Sequence, residues 1–327
     1  MVFEFEASPS FDFLTGFAET FHVPLDGDRL TIPASMGEGT IRKIELDTGF
    51  KLLIHRYRLK EEFILKRKGP ADINDLVTII LHSNEEPICL LAEEKDRVQI
   101  SRTSDSAIQI ASADLNSVTH FPAEAEIYFT VIGIKASILA TLLGIEHPNN
   151  LVQTITSGTA SFLFYESMNQ EVQKVLKQVT DYNEEGNLRM LYYRFKVQEL
   201  LYILFNNLLQ REATPLKPVN KADIDTLFVI RTTILTDLSK PPHLPEISKM
   251  AGMSETKMKE LFKQVFGDTL YNYYQKARME EAAYLLRQGG YSVSEAGYQL
   301  GFSNLSHFSR LFEKHYGMKP KKFSSVG

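Results

Sequence analysis

Very little in this sequence can carry covalent, redox or metal chemistry. Cys89 is its only cysteine, so an intrachain disulfide and a cysteine-cluster zinc site are both excluded, as expected for a reducing compartment. The eight histidines contain no H-x-x-x-H pair and no H-E-x-x-H, so a metal ion would lack the helical ligand spacing it needs. No G-x-S-x-G, no Walker A loop and no G-x-G-x-x-G occurs, which leaves hydrolase, phosphate-loop and dinucleotide readings without an anchor. The expectation is a protein that is not an enzyme, with no catalytic residue, no cofactor and no metal. The amino terminus MVFEFEASPSFDF has no basic residue ahead of its apolar positions and so lacks the charged start of a secretory signal. The most apolar stretch, Leu200 to Leu209, is too short to span a bilayer and contains Asn206 and Asn207. These absences point to the cytoplasm and away from membranes.

What is present is ordinary globular material with an uneven charge. The 327 residues are 43% apolar, 24% charged and 11% aromatic, about twice the length of one domain and apolar enough to bury a core. The net charge of −5 taken whole speaks weakly against a polyanionic partner. Divided at residue 220 it reverses. Residues 1–220 carry 21 Lys/Arg against 30 Asp/Glu, and residues 221–327 carry 15 against 11. A basic module is attached to an acidic body.

From about Thr40 to Ile134 the pattern is one of short strands and turns. TIRKIEL (40–46) alternates apolar and polar, Asp47-Thr48-Gly49 is turn chemistry, and FKLLIHRYRL (50–59) is the expected hairpin partner. Further strands are expected at 76–83, 87–92, 97–101, 107–111 and 126–134, together implying a β-rich sandwich or cupin-like barrel. After Lys135 the period lengthens toward 3.6. Helices are expected at 136–144, ended by Gly144, near 168–179, and at 188–210. The last has more apolar positions than one neighbour requires, among them Leu191, Phe195, Leu201, Leu204, Phe205, Leu208 and Leu209. It faces either the protein's own interior or a partner subunit. ATPLKPVNK (213–221), with two prolines, reads as a linker. The expected α+β organisation is a β-rich sensory domain at 1–145, a helical dimerisation or connecting region at 146–212, the linker at 213–221, and an all-α domain at 222–327.

Within that last region the sequence repeats itself at an offset of 49 to 50 residues. LPEISKMAGMSETKMKELFKQVFG (244–267) aligns with VSEAGYQLGFSNLSHFSRLFEKHYG (293–317). Gly252-Met253-Ser254 matches Gly301-Phe302-Ser303, and Leu261-Phe262 matches Leu311-Phe312; the extra residue of the second copy is expected inside its later helix. Each copy has the parts of a helix-turn-helix. Ser292 and Glu295 form a capping box before a short helix, Gly301 ends that helix, and Ser303 is expected to cap the next. Phe308, Leu311, Phe312 and His315 then fall on one buried face. The first copy uses Gly252 as the stop, Ser254 as the cap, and Met258, Leu261, Phe262 and Val265 as the buried face.

Helix geometry turns the remaining positions outward: Glu255, Thr256, Lys259, Glu260 and Lys263 in the first copy, and Asn304, Leu305, Ser306, Ser309, Arg310 and Glu313 in the second. Polar side chains on a helix that fits the major groove can read base edges, while lysines hold phosphates. Leu305 suits a thymine methyl. A single capped helix pair with a charged outer face is ordinarily solvated surface; two copies in the basic region favour duplex DNA. Between them Asp268 or Thr269 caps a helix running to about Gln288, roughly 28 Å at ~1.5 Å per residue, close to the ~34 Å between successive major-groove faces.

AGYQLGFSNLSHFSRLFEKHYGMKPKKF (296–323) resembles the signature of AraC/XylS-type transcriptional regulators: glycine-aromatic-serine, histidine-phenylalanine-serine-arginine, a second phenylalanine, then glycine and proline before a final aromatic. AGMSETKMKELFKQVFGDTLYNYYQKARMEEAAYLL (251–286) is similar to that family's first motif and connecting helix. The resemblance implies base contacts from Thr256, Lys259 and Glu260 in the first copy and Leu305, Ser306, Ser309 and Arg310 in the second. Glu260 departs from the basic residue often found there. Phosphate contacts would come from Lys263, Arg278, Lys319, Lys321 and Lys322. GEGTIRKIELDTGFKLLIHRYRL (37–59) has a slighter similarity to the branch typified by the pyochelin regulator, which implies a small-molecule effector in the β-rich domain and names no side chain for it. The partners so implied are double-stranded DNA, RNA polymerase if the protein activates, an effector and a second copy of the chain. The rival readings are a DNA repair or modification enzyme borrowing the same module, for which Cys89 would have to be a nucleophile, and a small-molecule-binding module with a degenerate tail. Cys89 itself reads as a small apolar strand residue or a redox sensor.

Overall fold

The computed structural model describes residues 1–8, 11–70, 75–84, 88–91, 97–100, 107–183, 186–211, 217, 219, 221–287 and 291–324. In chain order the first elements are β1 (Val2–Glu6), α1 (Phe13–Phe21), β2 (Leu25–Asp26), β3 (Arg29–Thr31), β4 (Gly37–Asp47), β5 (Phe50–Leu59), β6 (Phe63–Lys68), β7 (Leu76–His82), β8 (Ile88–Leu91), β9 (Arg97–Ile100), β10 (Ile108–Ser112), β11 (Ser117–Phe121) and β12 (Glu126–Lys135). Then come α2 (Ala136–Leu143), α3 (Asn150–Ser157), β13 (Leu163–Glu166), α4 (Gln170–Asp181) and α5 (Arg189–Leu209). The C-terminal helices are α6 (Lys221–Thr236), α7 (Leu244–Met250), α8 (Glu255–Phe266), α9 (Leu270–Arg287), α10 (Val293–Gln299), α11 (Leu305–Tyr316) and α12 (Pro320–Ser324). Two compact units result: Met1–Asp225 with Gln264–Gly267, and Thr226–Lys263 with Asp268–Gly327. The expected linker at 213–221 lies mostly outside the described residues, with Lys217 and Val219 described and α6 starting at its last position, Lys221.

The first unit is a sandwich. One sheet has eight strands in the order β13-β10-β7-β12-β5-β4-β3-β2, the other five in the order β1-β6-β11-β8-β9. The 40–59 hairpin forms as β4 and β5, with Gly49 at φ 78 in the turn, a conformation open to glycine because it has no Cβ. The large sheet is buried on both faces. Ile54, Ile79, Leu81, Ile132 and Ile134 share a core with α2 to α5. The alternate residues face the smaller sheet, where Tyr57 meets Phe63 at 6.4 Å, Phe63 meets Phe121 at 5.9 Å and Phe121 meets Phe129 at 6.1 Å.

Several elements escaped the sequence pattern for physical reasons. In β6 the inward row Phe63, Leu65, Arg67 ends on a buried arginine that donates to the Ser112 carbonyl, so its alternation is masked by a charge. In β11 the inward position Thr119 is polar. β13 lies among helices and pairs with the edge of the large sheet through β10; four residues are too few for a period to declare itself.

One row of the inward face is unusual. Phe129 pairs across the ladder with His55 on one side and His82 on the other, so the three side chains stand on the same face, with Tyr57 two residues beyond His55. All four are buried. His55 Nδ1, both ring nitrogens of His82 and the Tyr57 hydroxyl make no hydrogen bond among the described residues. An unpaired buried polar group costs about 1–3 kcal/mol. Burial drives His55 down to about 3 and His82 to about 4, and raises Tyr57. Both imidazoles are therefore neutral in the fold while the unfolded chain takes up protons near the ordinary histidine value. Stability should be complete above about pH 6.5, fall as pH drops below it, and level off near 3 to 4 where the folded residues protonate. Urea denaturation from pH 4 to 7 should show that slope, and His82→Gln should flatten part of it.

Candidate nucleic-acid interface

In the second unit the two repeats fold alike. α7 and α10 have seven residues each, α8 and α11 twelve each. Both short helices end in the same reversed turn. Gly252 (φ 60) and Gly301 (φ 75) take the left-handed conformation, and the next amide reaches back five residues: Met253 N–H to the Ser248 carbonyl at 3.1 Å, Phe302 N–H to the Gly297 carbonyl at 2.9 Å. These bonds satisfy carbonyls that a helix end leaves open. Gly301 is constrained twice, because a Cβ there would lie 1.9 Å from the Ser239 carbonyl oxygen.

The caps differ from expectation in one copy. Ser254 Oγ accepts from the Lys257 amide at 3.3 Å, and the Ser292–Glu295 capping box is complete. In the second copy Ser303 is not the cap of α11. Asn304 is, its Oδ1 accepting from the amides of Ser306 at 2.9 Å and His307 at 3.1 Å. The additional residue of the second copy therefore lies at the cap and not inside the helix, which is why both long helices have equal length. Asparagine wins because it satisfies two open amides at once, a common N-cap choice.

The buried faces are Met258, Leu261, Phe262 and Val265 in α8 and Phe308 and Phe312 in α11. Leu311 is only partly buried, and His315, expected on that face, is exposed; Tyr316 takes its place against Phe312 and Phe323, with ring centroids 4.8 and 5.1 Å away. Outward, Thr256, Lys259, Glu260, Ser306 and Arg310 are exposed, and Lys263 and Ser309 are half-buried. Lys259 pairs with Glu255 at 2.8 Å. Leu305 is half-buried because it leans on Gly297, where a Cβ would meet its Cδ2 at 2.7 Å, so packing explains part of what made it look anomalous. Lys319, Lys321 and Lys322 are exposed around α12.

Arg278 requires a correction. It is not a surface phosphate ligand. With 6% exposure its guanidinium donates to the Leu300 carbonyl at 2.5 Å and lies 3.7 Å from the centre of the Phe302 ring, with Tyr274 at 5.2 Å. It ties α9 to the turn between α10 and α11, a use of arginine that combines a charged hydrogen bond with stacking. α6 carries a second buried arginine, Arg231, whose Nε donates to the Tyr273 hydroxyl at 2.5 Å. Nothing but burial distinguishes these two from surface arginines, and sequence order could not reveal it. α9 is capped by Thr269, which accepts from the Asn272 amide at 3.2 Å; its 18 residues span roughly 27 Å at ~1.5 Å each. Gln288 lies outside the described residues. So does the Cys89 side chain, whose backbone lies in β8.

The helix-turn-helix domain family matches residues 247–325. The transcriptional activator AggR of Escherichia coli is 36% identical over 94 residues, 29% of this chain and 35% of that protein. The probable transcription factor PqrA of Proteus vulgaris is 35% identical over 81 residues, 25% of this chain and 66% of that protein. The chain thus spans about a third of the length of AggR. The solved structure of ToxT from Vibrio cholerae covers 85% of this chain and 98% of its own at 16% identity, with a TM-score of 0.30. Residues 247–325 of this chain thus form a helix-turn-helix domain of the AraC type. No helix among the described residues is long and apolar enough to cross a membrane.

The cap assignment has a direct test. Asn304→Ala should lower the urea stability of the C-terminal unit by about 1 kcal/mol, whereas Ser303→Ala should stay within about 0.5 kcal/mol of the parent.

Proposed function

We propose that this chain is a sequence-specific, DNA-binding transcription regulator of the AraC type, an activator that works with RNA polymerase in the cytoplasm and is not an enzyme. The observation that carries the reading is the pair of equal twelve-residue helices, each entered through the same glycine turn and each turning a polar face outward in the basic part of the chain. In this reading α8 offers Thr256, Lys259 and Glu260 to base edges and α11 offers Ser306, Ser309 and Arg310, with the exposed side of Leu305 for a thymine methyl. Lys263, Lys319, Lys321 and Lys322 hold phosphates. Arg310 stands where the first helix has Glu260, and Glu313 where it has Lys263. Two reading heads of opposite charge at matched positions call for two different half-sites, hence an asymmetric operator.

The remaining division of labour is part of the same proposal: a sensory domain at 1–145 that receives a small-molecule effector, a helical region at 146–212, the linker at 213–221, and the reading head at 222–327. The helical region makes the protein a homodimer. α5 buries Val197, Leu201, Leu204 and Leu208 on one side, while Leu188, Leu191, Phe195 and Tyr202 are 60–70% exposed. With Gln198 they form a 3-4-3-4 series, the seam of a two-stranded coiled coil, with one polar position to set register. A second copy presents the same seam, which is what a two-fold interface requires. Phe195→Glu should convert dimer to monomer in analytical ultracentrifugation; a parent protein that is already monomeric at 50 times the working concentration would remove this part of the reading.

Selection of bound duplexes from a random pool, by the full chain and by residues 221–327, tests the central claim. Enrichment of one bipartite motif by both is expected, and enrichment of none by either defeats it. On that motif Arg310→Ala should cost about 1–3 kcal/mol and relax one base pair, while Lys321→Ala should weaken all sequences alike and reduce the salt slope by about 1. Arg278→Ala should leave the salt slope unchanged, because its charge never meets a phosphate.

A further inference from the structure

We propose that Glu260 sets the specificity of the first reading helix by accepting a hydrogen bond from the exocyclic amino group of a cytosine, at the position where Arg310 of the second helix reads a guanine. This rests on the reading of α8 and α11 as the elements that enter the major groove, and it names one base in each half of the operator.

The two helices are in register from end to end. Each has twelve residues, and each runs into a left-handed glycine, Gly267 (φ 78) and Gly317 (φ 69). Their inward side chains correspond in the same order, Met258, Leu261 and Phe262 in α8 and Phe308, Leu311 and Phe312 in α11. Residues at i, i+4 and i+7 share one helix face. The row farthest from the inward side chains is therefore Thr256, Glu260 and Lys263 in α8, and Ser306, Arg310 and Glu313 in α11. A hydroxyl heads each row, and the charges that follow come in opposite order. Glu260 and Arg310 are both exposed, so they hold the same place on two equivalent surfaces.

These two side chains cannot read the same base edge. A guanidinium has only donors and a carboxylate only acceptors. In the major groove guanine presents two acceptors, O6 and N7, which suit Arg310. Cytosine presents the amino donor at N4, which suits Glu260, whereas guanine or thymine would set acceptor against acceptor. Adenine places the N7 acceptor beside its amino group, an edge that pairs with a carboxamide better than with a carboxylate. Arg310 Nε donates to the Ser306 carbonyl at 3.4 Å, which lays its stem along the helix toward the first turn, the part of a recognition helix that meets base edges. The charge of Glu260 opposes the phosphates on every sequence, and only the cytosine amino group offsets that cost. Such a residue gains specificity by penalising the wrong duplex.

The test selects duplexes from a random pool with the full chain, comparing the parent with Glu260→Gln, Glu260→Arg and Arg310→Gln. Unchanged thermal melting verifies the fold of each variant, since both positions are exposed. The parent should enrich a motif with a G·C pair in each half that these substitutions address. Glu260→Gln should turn the pair of the first half into A·T, and Glu260→Arg should invert it, each with about tenfold preference over the parental pair. Arg310→Gln should turn the pair of the second half into A·T and leave the first alone. On duplex of random sequence Glu260→Gln should bind about threefold more tightly than the parent. The proposal is overturned if the Glu260 variants enrich the parental pair, if they tighten all sequences equally, or if the pair they alter is A·T in the parent. Each of those results includes a parental motif and leaves the regulator reading standing; a parent that enriches no motif defeats that reading and this one with it.

Discussion

A seven-residue helix is too short to be stable alone, since nucleation consumes much of what so few hydrogen bonds return. α7 and α10 persist because each is closed at its end by a glycine in the left-handed conformation, which lets the chain fold back and bond the open carbonyl of Ser248 or Gly297. The turn does more than end a helix. It fixes the angle at which α8 and α11 leave, and so decides which of their side chains face outward. The remainder of the C-terminal unit supports that angle. Phe302 packs on Phe308, Arg278 stacks on Phe302 from behind, and the guanidinium holds the Leu300 carbonyl at the start of the same turn.

This arrangement explains how a charged residue can matter to a DNA-binding unit without meeting DNA. A surface lysine contributes by neutralising a phosphate, an effect that salt removes. A buried arginine that orients a turn contributes through geometry, and salt does not reach it. The two uses look identical in a count of basic residues. Of the fifteen Lys/Arg in residues 221–327, at least Arg231 and Arg278 are interior, so the charge available to a phosphate backbone is smaller than the sequence total suggests.

The N-terminal unit presents the complementary case, polarity that is buried and neutral. A sheet covered by helices on one face and by a second sheet on the other has no solvent to satisfy its side chains, so hydrophobic residues are the rule along it. His55 and His82 break the rule in register with each other across Phe129. Their position in the ladder makes them one feature and not two separate irregularities.

How much of this could be read in advance follows from how local each signal is. Hairpin 40–59, the helices at 136–144 and 188–210, both glycine turns, the Ser254 and Ser292 caps and the buried face of α8 were legible, because a period, a turn residue and a cap act within a few residues of chain. Asn304 displaced Ser303 because two adjacent residues could each cap, and only the helix start decides between them. β6 and β13 were hidden by an inward arginine and by brevity. The sequence by itself determined that the chain has an acidic β-rich part and a basic part with a duplicated helix-turn-helix. Which side of α5 is bare, which arginines are interior and which histidines share a row were decided only by tertiary structure. These depend on what lies across a sheet or behind a helix, and residues brought together from distant parts of the chain leave no local trace of the meeting.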